Sequence, residues 1–340
     1  MQNRTRIGVL CPSEIALRRF MPALSKRDDF AYAGIGVAAL SEWSGKDAMP
    51  EALLQAEQEK AKRFQEAYGG EIYAGYMALL DDPSVDAVYI PLPPALHFKW
   101  AKAALERGKH VLVEKPSTTC PEQTRELARL AEVRGLALHE NYMFVFHKQI
   151  EYIQDCVRKG KLGEIRLFRL AFGFPFRGST DFRYNRTLGG GALLDCGGYT
   201  VKLAQLLLGD TAKVVDARLD SARGMEVDIY GNAVLRNSEG VTAQLAFGMD
   251  NSYKCELEIW GSTGYLRADR VFTAPVGFCP KLLLRTAEGD QTVEIEEDDQ
   301  FYRSLGYFAG QIRDENARLA CRAGIVKQSE LVHAIWERGR

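Results

Sequence analysis

The chain has 340 residues, 46% of them hydrophobic and 26% charged, with a net charge of -1. That length suits about two domains with sizeable cores, and the near-neutral balance gives no electrostatic basis for binding nucleic acid or an anionic membrane. No apolar run approaches the roughly 18 residues of a membrane-spanning helix, and Met1 to Arg6 run directly into a strand, which is expected to leave no room for a signal peptide. The seven cysteines, at positions 11, 120, 156, 196, 255, 279 and 321, show neither C-x-x-C spacing nor clustering with the five dispersed histidines. They read as reduced thiols of a cytoplasmic protein, and no metal site is expected.

In chain order, residues 6–10 form a short apolar strand, and 14–25 have helical spacing with Ile15, Leu17, Phe20 and Leu24 as candidate core positions. A second strand run covers 30–40, and a charged, Ala- and Gln-rich helix lies within 41–70, stopping at Gly69-Gly70. A short helix at 76–80 gives way to the turn Asp81-Asp82-Pro83. The strand at 85–90 ends in Pro91-Leu92-Pro93-Pro94, which forces an extended exit. A helix over 97–107 stops at Gly108 with a cation in its last turn. His110 to Val113 is an apolar, β-branched run suited to a buried parallel strand. Glu114-Lys115-Pro116 ends it, because Pro116 has no N–H for the ladder and bars Lys115 from the helical region. A helix at 121–134 and a strand at 136–140 complete an alternation that argues for a doubly wound parallel sheet.

After about residue 148 the pattern changes. A helix at 149–159 and a long strand at 163–173 precede Gly189-Gly190-Gly191 and a helix over 192–208. Alternating runs follow at 213–220, 225–236, 241–249, 253–260, 263–268, 281–286 and 292–296, separated by turn signals. They predict a mainly antiparallel sheet, one face covered by the 192–208 helix. Helices at 301–320 and 327–338 close the chain. The expected division is an α/β dinucleotide-binding domain over 1–125, with 136–148 returning to it, and an α+β domain with a large open-faced sheet over 126–340.

In an open α/β sheet, ligands bind outside the carboxyl ends of the strands. Lys115 projects from such an end, where it can reach a cofactor and a substrate carbonyl; a solvated strand-end lysine is the plain alternative. The first strand turns through Cys11-Pro12-Ser13-Glu14-Ile15-Ala16, where a dinucleotide-binding turn would read G-x-G-x-x-G/A. Ala16 fits that pattern; Cys11 and Ser13 do not. A pyrophosphate is expected at the backbone around Ser13 to Ile15, at a helix N-terminus. Around Ala38 to Glu42 neither an Asp for a ribose 2′-hydroxyl nor an Arg for a 2′-phosphate stands out.

The stretch Leu188 to Lys202, L-G-G-G-A-L-L-D-C-G-G-Y-T-V-K, is the second concentration of chemistry. Its three glycines are expected to expose N–H donors at a helix N-terminus. Asp195 and Tyr199 are four apart and share a helix face. Tyr199 is a candidate proton donor, which a nearby lysine would tune; a core tyrosine and a helix-capping aspartate are the plain alternatives. Gly197-Gly198 costs roughly 1 kcal/mol per residue in a helix, which suggests close packing against a nicotinamide or a sugar. Further polar candidates are His97, Asn141, His147, Arg183 and Tyr184; His147, among Tyr142, Phe144 and Phe146, reads as a packed histidine.

With P-L-P-P-A-L-H at 91–97, G-K-H-V-L-V-E-K-P at 108–116, E-N-Y-M-F at 140–144 and the 189–199 segment, the chain resembles the Gfo/Idh/MocA oxidoreductases over essentially its whole length. Tyr199, where many members have His, resembles the branch of sugar-nucleotide 3-ketoreductases, dihydrodiol dehydrogenases and glucose–fructose oxidoreductase. I-A-L-R-R at 15–19, His147-x-Gln149 and D-F-R-Y at 181–184 look most like the NDP-hexose 3-ketoreductases. The resemblance implies NADP, slightly favoured, or NAD as cofactor, and Lys115 and Tyr199 as catalytic residues. Cys11-Pro12-Ser13 in the phosphate turn departs from the family's pattern; cofactor contacts are expected from Cys11, Pro12, Ser13, Glu14, Ile15, Pro91, Leu92, Pro93, His97, Glu114, Lys115 and Asn141. Substrate contacts are expected from Lys115, Tyr142, Arg183, Tyr184, Asp195 and Tyr199, with Lys115 and Tyr199 facing a common pocket.

The expected function is NAD(P)H-dependent reduction of a keto group, at C3, of a nucleotide-linked deoxysugar by a cytoplasmic homo-oligomer, a dimer or tetramer. Oxidation of a free sugar or cyclic diol is the enzymatic alternative, since the same residues serve either direction. A cofactor-free binding or regulatory protein on the same fold is the alternative of another class.

Overall fold

A computed structural model describes residues 4–42, 51–222 and 224–340. The chain divides into two compact units, the first comprising 1–118, 122–141 and 304–325 and the second 119–121, 142–303 and 326–340.

The first unit is built on six parallel strands, β1 (Thr5–Leu10), β2 (Phe30–Val37), β3 (Glu71–Ala74), β4 (Ala87–Ile90), β5 (His110–Val113) and β6 (Leu138–Glu140). Their spatial order is β3-β2-β1-β4-β5-β6, so the order reverses between β1 and β4 and opens the ligand crevice of a doubly wound sheet there. Val9, Leu10, Val88, Tyr89, Ile90, Val111 and Val113 have essentially no exposure, as strands covered on both faces require. The covering helices are α1 (14–24), α2 (Glu51–Tyr68), α3 (Tyr76–Asp81), α4 (Pro94–Glu106) and α5 (Pro121–Val133). α4 begins at Pro94, a favoured first helical residue, three residues before the expected start.

Within α1, Ala16–Phe20 is a π turn, closed by the Met21 N–H on the Ala16 carbonyl. The wider turn rotates the buried face onto Ala16, Phe20, Met21, Ala23 and Leu24 and leaves Ile15 exposed, contrary to the 3.6-residue spacing. Phe20 stacks on Tyr89 with centroids 4.0 Å apart. The helix expected over 41–70 is described only as Glu51–Tyr68, and residues 43–50 lie outside the described residues. The four-residue β3 was not anticipated; only Tyr73 in it is buried, too little for an alternation to register.

In the second unit, eight strands run in the order β14-β13-β12-β11-β7-β10-β9-β8. They are β7 (Ile165–Gly173), β8 (Lys213–Asp220), β9 (Tyr230–Arg236), β10 (Thr242–Gly248), β11 (Lys254–Gly261), β12 (Tyr265–Asp269), β13 (Lys281–Thr286) and β14 (Gly289–Glu294). Pairing is antiparallel except between β7 and β10. Alternate residues such as Leu170, Leu245, Leu257 and Ile259 are buried. Helix α6 (Lys148–Arg158) precedes β7, and α7 follows it, opening with a π turn at Leu193–Gly197 and continuing as Gly198–Leu208. The last strand starts at Gly289, before the expected 292.

The final helices are α8 (Gln300–Arg313) and α9 (Glu315–Arg338), so the break falls at Asp314 and not between 320 and 327. The Asp314 carboxylate accepts the Asn316 N–H at 2.8 Å and so caps α9. Residues 126–135 and 304–325, expected in the second domain, belong to the first unit. α5 leads into β6 there, and buried polar side chains on α8 bond those of β6, as with His139 and Ser304.

Candidate active site

In the first unit, the turn after β1 takes a glycine-type backbone without glycine: Cys11 has φ 98°. For a side chain this costs about 1–2 kcal/mol. The thiol turns inward, with Sγ 3.8 Å from a Glu57 carboxylate oxygen, and burial with the nearby Glu57 charge pushes its pKa up to about 12. Ser13 Oγ accepts the Ala16 N–H at 3.2 Å, and Pro12 is buried. Glu14 and Ile15 open α1 on the exposed side; amides in a helix's first turn have no intrahelical acceptor and suit an anion. The turn therefore takes a glycine-type backbone with the thiol directed inward, toward Glu57. Cys11→Gly is expected to leave the NADPH dissociation constant within about threefold, because relief of backbone strain and loss of inward packing nearly cancel. A tenfold weakening in a fluorescence titration would show instead that the thiol contacts the ligand.

At the end of β2, Glu42 is fully committed. One carboxylate oxygen accepts the N–H groups of Ala39 (2.9 Å) and Tyr76 (2.8 Å), and the other that of Met77 (2.7 Å). It caps α3, and both oxygens are held by backbone amides. A cavity of about 450 Å³ beside it is lined by Ser41, Glu42, Met77, Lys99 and Trp100 among others. Lys99 Nζ lies 3.4 Å from the Glu42 carbonyl oxygen and 4.7 Å from the Trp100 ring centroid. No motif marks Lys99, because a lysine in an amphipathic helix carries no distinguishing spacing.

The exits of β4 and β5 are braced by His97, which is fully buried. Its Nε2 is 2.6 Å from the Leu92 carbonyl oxygen and its Nδ1 2.7 Å from that of Pro116. Burial lowers its pKa to about 4. Both ring nitrogens are thus directed at backbone, which corrects the expectation that His97 contacts the cofactor. The Lys115–Pro116 peptide is cis. Glu114 points back into the unit, where one oxygen accepts the Tyr89 hydroxyl and the Asn141 amide, each at 2.7 Å. Burial raises its pKa against those two donors. Asn141 is buried and its amide oxygen accepts the Ser304 hydroxyl at 2.7 Å. The side chains of Glu114 and Asn141 therefore support the strand end from behind, where direct cofactor contacts had been expected of them.

In the second unit, the expectation that the triple glycine exposes N–H donors is not met. The Gly190 N–H donates to the Asn185 carbonyl, Gly191 to Arg183, Ala192 to Asp228, and Leu193 to the Asp228 carboxylate at 2.6 Å. Gly191 has φ 127°, and a Cβ there would collide with that carboxylate. Asp228, unremarked in the sequence, anchors the start of α7. Gly197 and Gly198 are explained by the protein itself: a Cβ at Gly197 would lie 3.1 Å from the Phe247 ring, and one at Gly198 would strike the Tyr142 hydroxyl. No nicotinamide or sugar is needed to account for them.

The π turn carries Asp195 and leads into Tyr199; such turns recur at functional sites. Arg183 Nε donates to Asp195 at 2.9 Å, while its Nη1 reaches Asp181 at 3.2 Å. Tyr199 is 7% exposed, its ring packed by Phe172 (centroids 5.2 Å), Tyr142 (5.3 Å), Phe144 (5.6 Å) and Phe272 (6.0 Å). Tyr142 is buried in this cluster, and the Tyr184 hydroxyl donates to the Met249 carbonyl (2.8 Å) and accepts the Arg177 N–H (3.1 Å). Both were expected at substrate; their observed roles are packing and bracing. His147 is a packed histidine that caps α6, its Nδ1 accepting the Gln149 N–H at 3.1 Å.

A six-stranded doubly wound unit with a dinucleotide-type turn, joined to an open-sheet unit bearing an Asp–Tyr helix, defines a two-part nicotinamide-dependent oxidoreductase. The chain belongs to the Gfo/Idh/MocA oxidoreductases: residues 30–142 match the oxidoreductase family with NAD-binding Rossmann fold, and 150–267 match the GFO/IDH/MocA C-terminal domain. It is 39% identical over 333 residues, 98% of this chain and 95% of the relative, to a dTDP-3,4-didehydro-2,6-dideoxy-alpha-D-glucose 3-reductase of Actinomadura kijaniata. It is also similar to a D-xylose 1-dehydrogenase (NADP(+)) of Haloferax volcanii, at 30% identity over 90% of this chain and 94% of that one. Among solved structures it resembles KijD10, a 3-ketoreductase from Actinomadura kijaniata in complex with NADP and TDP-benzene, with a TM-score of 0.90 and 38% identity, covering 99% of this chain and 98% of that one. That enzyme has also been solved with a tyrosine exchanged for phenylalanine and with a lysine exchanged for alanine.

Proposed function

We propose that the protein reduces the C3 keto group of a dTDP-linked deoxysugar with NADPH. The observation that carries this is full-length similarity to 3-ketoreductases, through both units, together with the lysine and tyrosine at matching spacing. The exchanged lysine and tyrosine of KijD10 are 84 positions apart, as are Lys115 and Tyr199. NADP is favoured over NAD because the acid at the end of β2, Glu42, has both oxygens on backbone amides and is not offered to a ribose 2′-hydroxyl. Lys99 adds a cation beside the same turn.

The residues present fit such a cofactor: the Cys11 turn has the required backbone, and the first amides of α1 lie on its exposed side. Glu14 and Ile15 would hold the pyrophosphate by backbone, the Ser13 N–H being spent on the Cys11 carbonyl at 2.9 Å, with Pro91, Leu92 and Pro93 alongside. When bound, reduced nicotinamide supplies the hydride. Lys115 polarises the keto oxygen electrostatically, and Tyr199 gives its phenolic proton to the alkoxide that develops there. Arg183 fixes Asp195 for a sugar hydroxyl. A cytoplasmic homo-oligomer, a dimer or tetramer, completes the reading. Seven free thiols fit a reducing compartment, and the sheet's open face offers a surface for a second copy.

The test is NADPH oxidation with a dTDP-linked 3-keto-deoxysugar, run beside NADH. Turnover with the keto sugar and a clear NADPH preference is expected. NADP-dependent oxidation of D-xylose or a cyclic diol without keto-sugar reduction would establish the dehydrogenase reading, which the Haloferax volcanii similarity favours. Absence of saturable cofactor binding at sub-millimolar concentration would establish a binding protein.

A further inference from the structure

A buried chain of polar side chains runs through the first unit from α8 to the carboxylate beside Lys115. Glu114 Oε1 accepts Asn141 Nδ2 at 2.7 Å, Asn141 Oδ1 accepts Ser304 Oγ at 2.7 Å, Ser304 Oγ lies 2.9 Å from His139 Nε2, and His139 Nδ1 lies 2.9 Å from Gln311 Nε2. Asn141, Ser304, His139 and Gln311 are all at most 1% exposed. Every proton position follows from one end. An ionised carboxylate only accepts, so Asn141 must present its NH₂ to Glu114 and its oxygen to Ser304. Ser304 then spends its only O–H on Asn141, so His139 must donate through Nε2–H. That leaves Nδ1 as an acceptor, which Gln311 satisfies with its own NH₂. All the bonds run in one direction and end on Gln311, whose Oε1 is buried without a partner, with the Cys321 thiol also 4.0 Å from His139 Nδ1; reversing the His139 tautomer would leave Asn141 Oδ1 unpaired. The Glu140 carboxylate, from the same short strand as His139, accepts the Ser117 N–H at 2.8 Å just past Pro116.

We propose that His139 and Ser304 are positioning residues for the reaction, holding through Asn141 the Glu114 carboxylate that orients the strand end carrying Lys115. This rests on the reading that Lys115 is catalytic. It also gives residues 304–325 a function in the first unit: α8 supplies the serine and the glutamine that finish the chain. None of His139, Ser304 or Gln311 belongs to a recognisable motif, and 165 positions separate His139 from Ser304.

Ser304→Ala removes the middle link and leaves His139 Nε2–H and Asn141 Oδ1 unpaired. Loss of kcat by about 10- to 100-fold is expected from misplacement of the reacting group, while the NADPH dissociation constant stays within about threefold. Ser304→Thr restores the hydroxyl and should recover most of the kcat. Nitrogen-15 correlation spectra of the wild-type protein should show His139 as the neutral Nε2–H tautomer. Wild-type kcat in Ser304→Ala overturns the proposal, as does equal impairment in Ser304→Ala and Ser304→Thr. An Nδ1–H tautomer overturns the direction of the chain and the proposal with it. Failure of the catalytic reading itself shows separately, as full turnover in Lys115→Ala.

Discussion

Lys115→Ala is expected to lower turnover by about 10²–10⁴-fold while NADPH binding changes little. The lysine leaves β5 at its carboxyl end, where Pro116 stops the ladder. The neighbouring Glu114 carboxylate points into the unit, onto Tyr89 and Asn141. In the proposed mechanism the charge of Lys115 acts on the oxygen where negative charge develops, an effect worth about 10²–10³ for a single fixed donor and more if it also tunes the proton donor. Arg is not an adequate replacement, since its planar fork cannot occupy the place of a compact ammonium. Single-turnover hydride transfer, with cofactor saturation measured separately, reads the effect directly. A variant whose loss lies wholly in the NADPH dissociation constant would make Lys115 a cofactor anchor.

Tyr199→Phe is expected to cost about 10²–10⁴ in turnover, the usual worth of a positioned acid. The ring's four aromatic neighbours, Tyr142, Phe144, Phe172 and Phe272, lie at centroid distances of 5.2 to 6.0 Å. Phe preserves those contacts, so the folded variant should match the wild type in thermal unfolding. The losses from Tyr199→Phe and Lys115→Ala should not add, because groups that act on one substrate atom fail as a unit. Turnover near that of the wild type in Tyr199→Phe would demote Tyr199 to a substrate contact and leave Lys115 as the acid. Fully additive losses would mean that the two never share an atom.

The sequence by itself determined the layout of strands and helices around these residues. Proline and glycine punctuation marks the exits of β4 and β5, because a missing N–H ends a ladder wherever it occurs. Apolar runs against alternating runs distinguish the sheet buried on both faces from the open-faced one. Lys115 and Tyr199 stand out as candidates because their motifs are contiguous in the chain. What only the tertiary structure decided concerns which partner each polar group meets. Cys11 adopts a glycine backbone because the thiol has an inward place to go. Gly197 and Gly198 accommodate Phe247 and Tyr142, and the Gly190–Leu193 amides close on Asn185, Arg183 and Asp228 in place of a ligand. The π turns at 16–20 and 193–197 shift helix faces that a 3.6-residue period cannot register. His97, Glu42 and the His139–Ser304 pair are spent on partners between 3 and 165 positions away. Hydrogen bonding depends on distance in space, and local sequence pattern records only the neighbours along the chain.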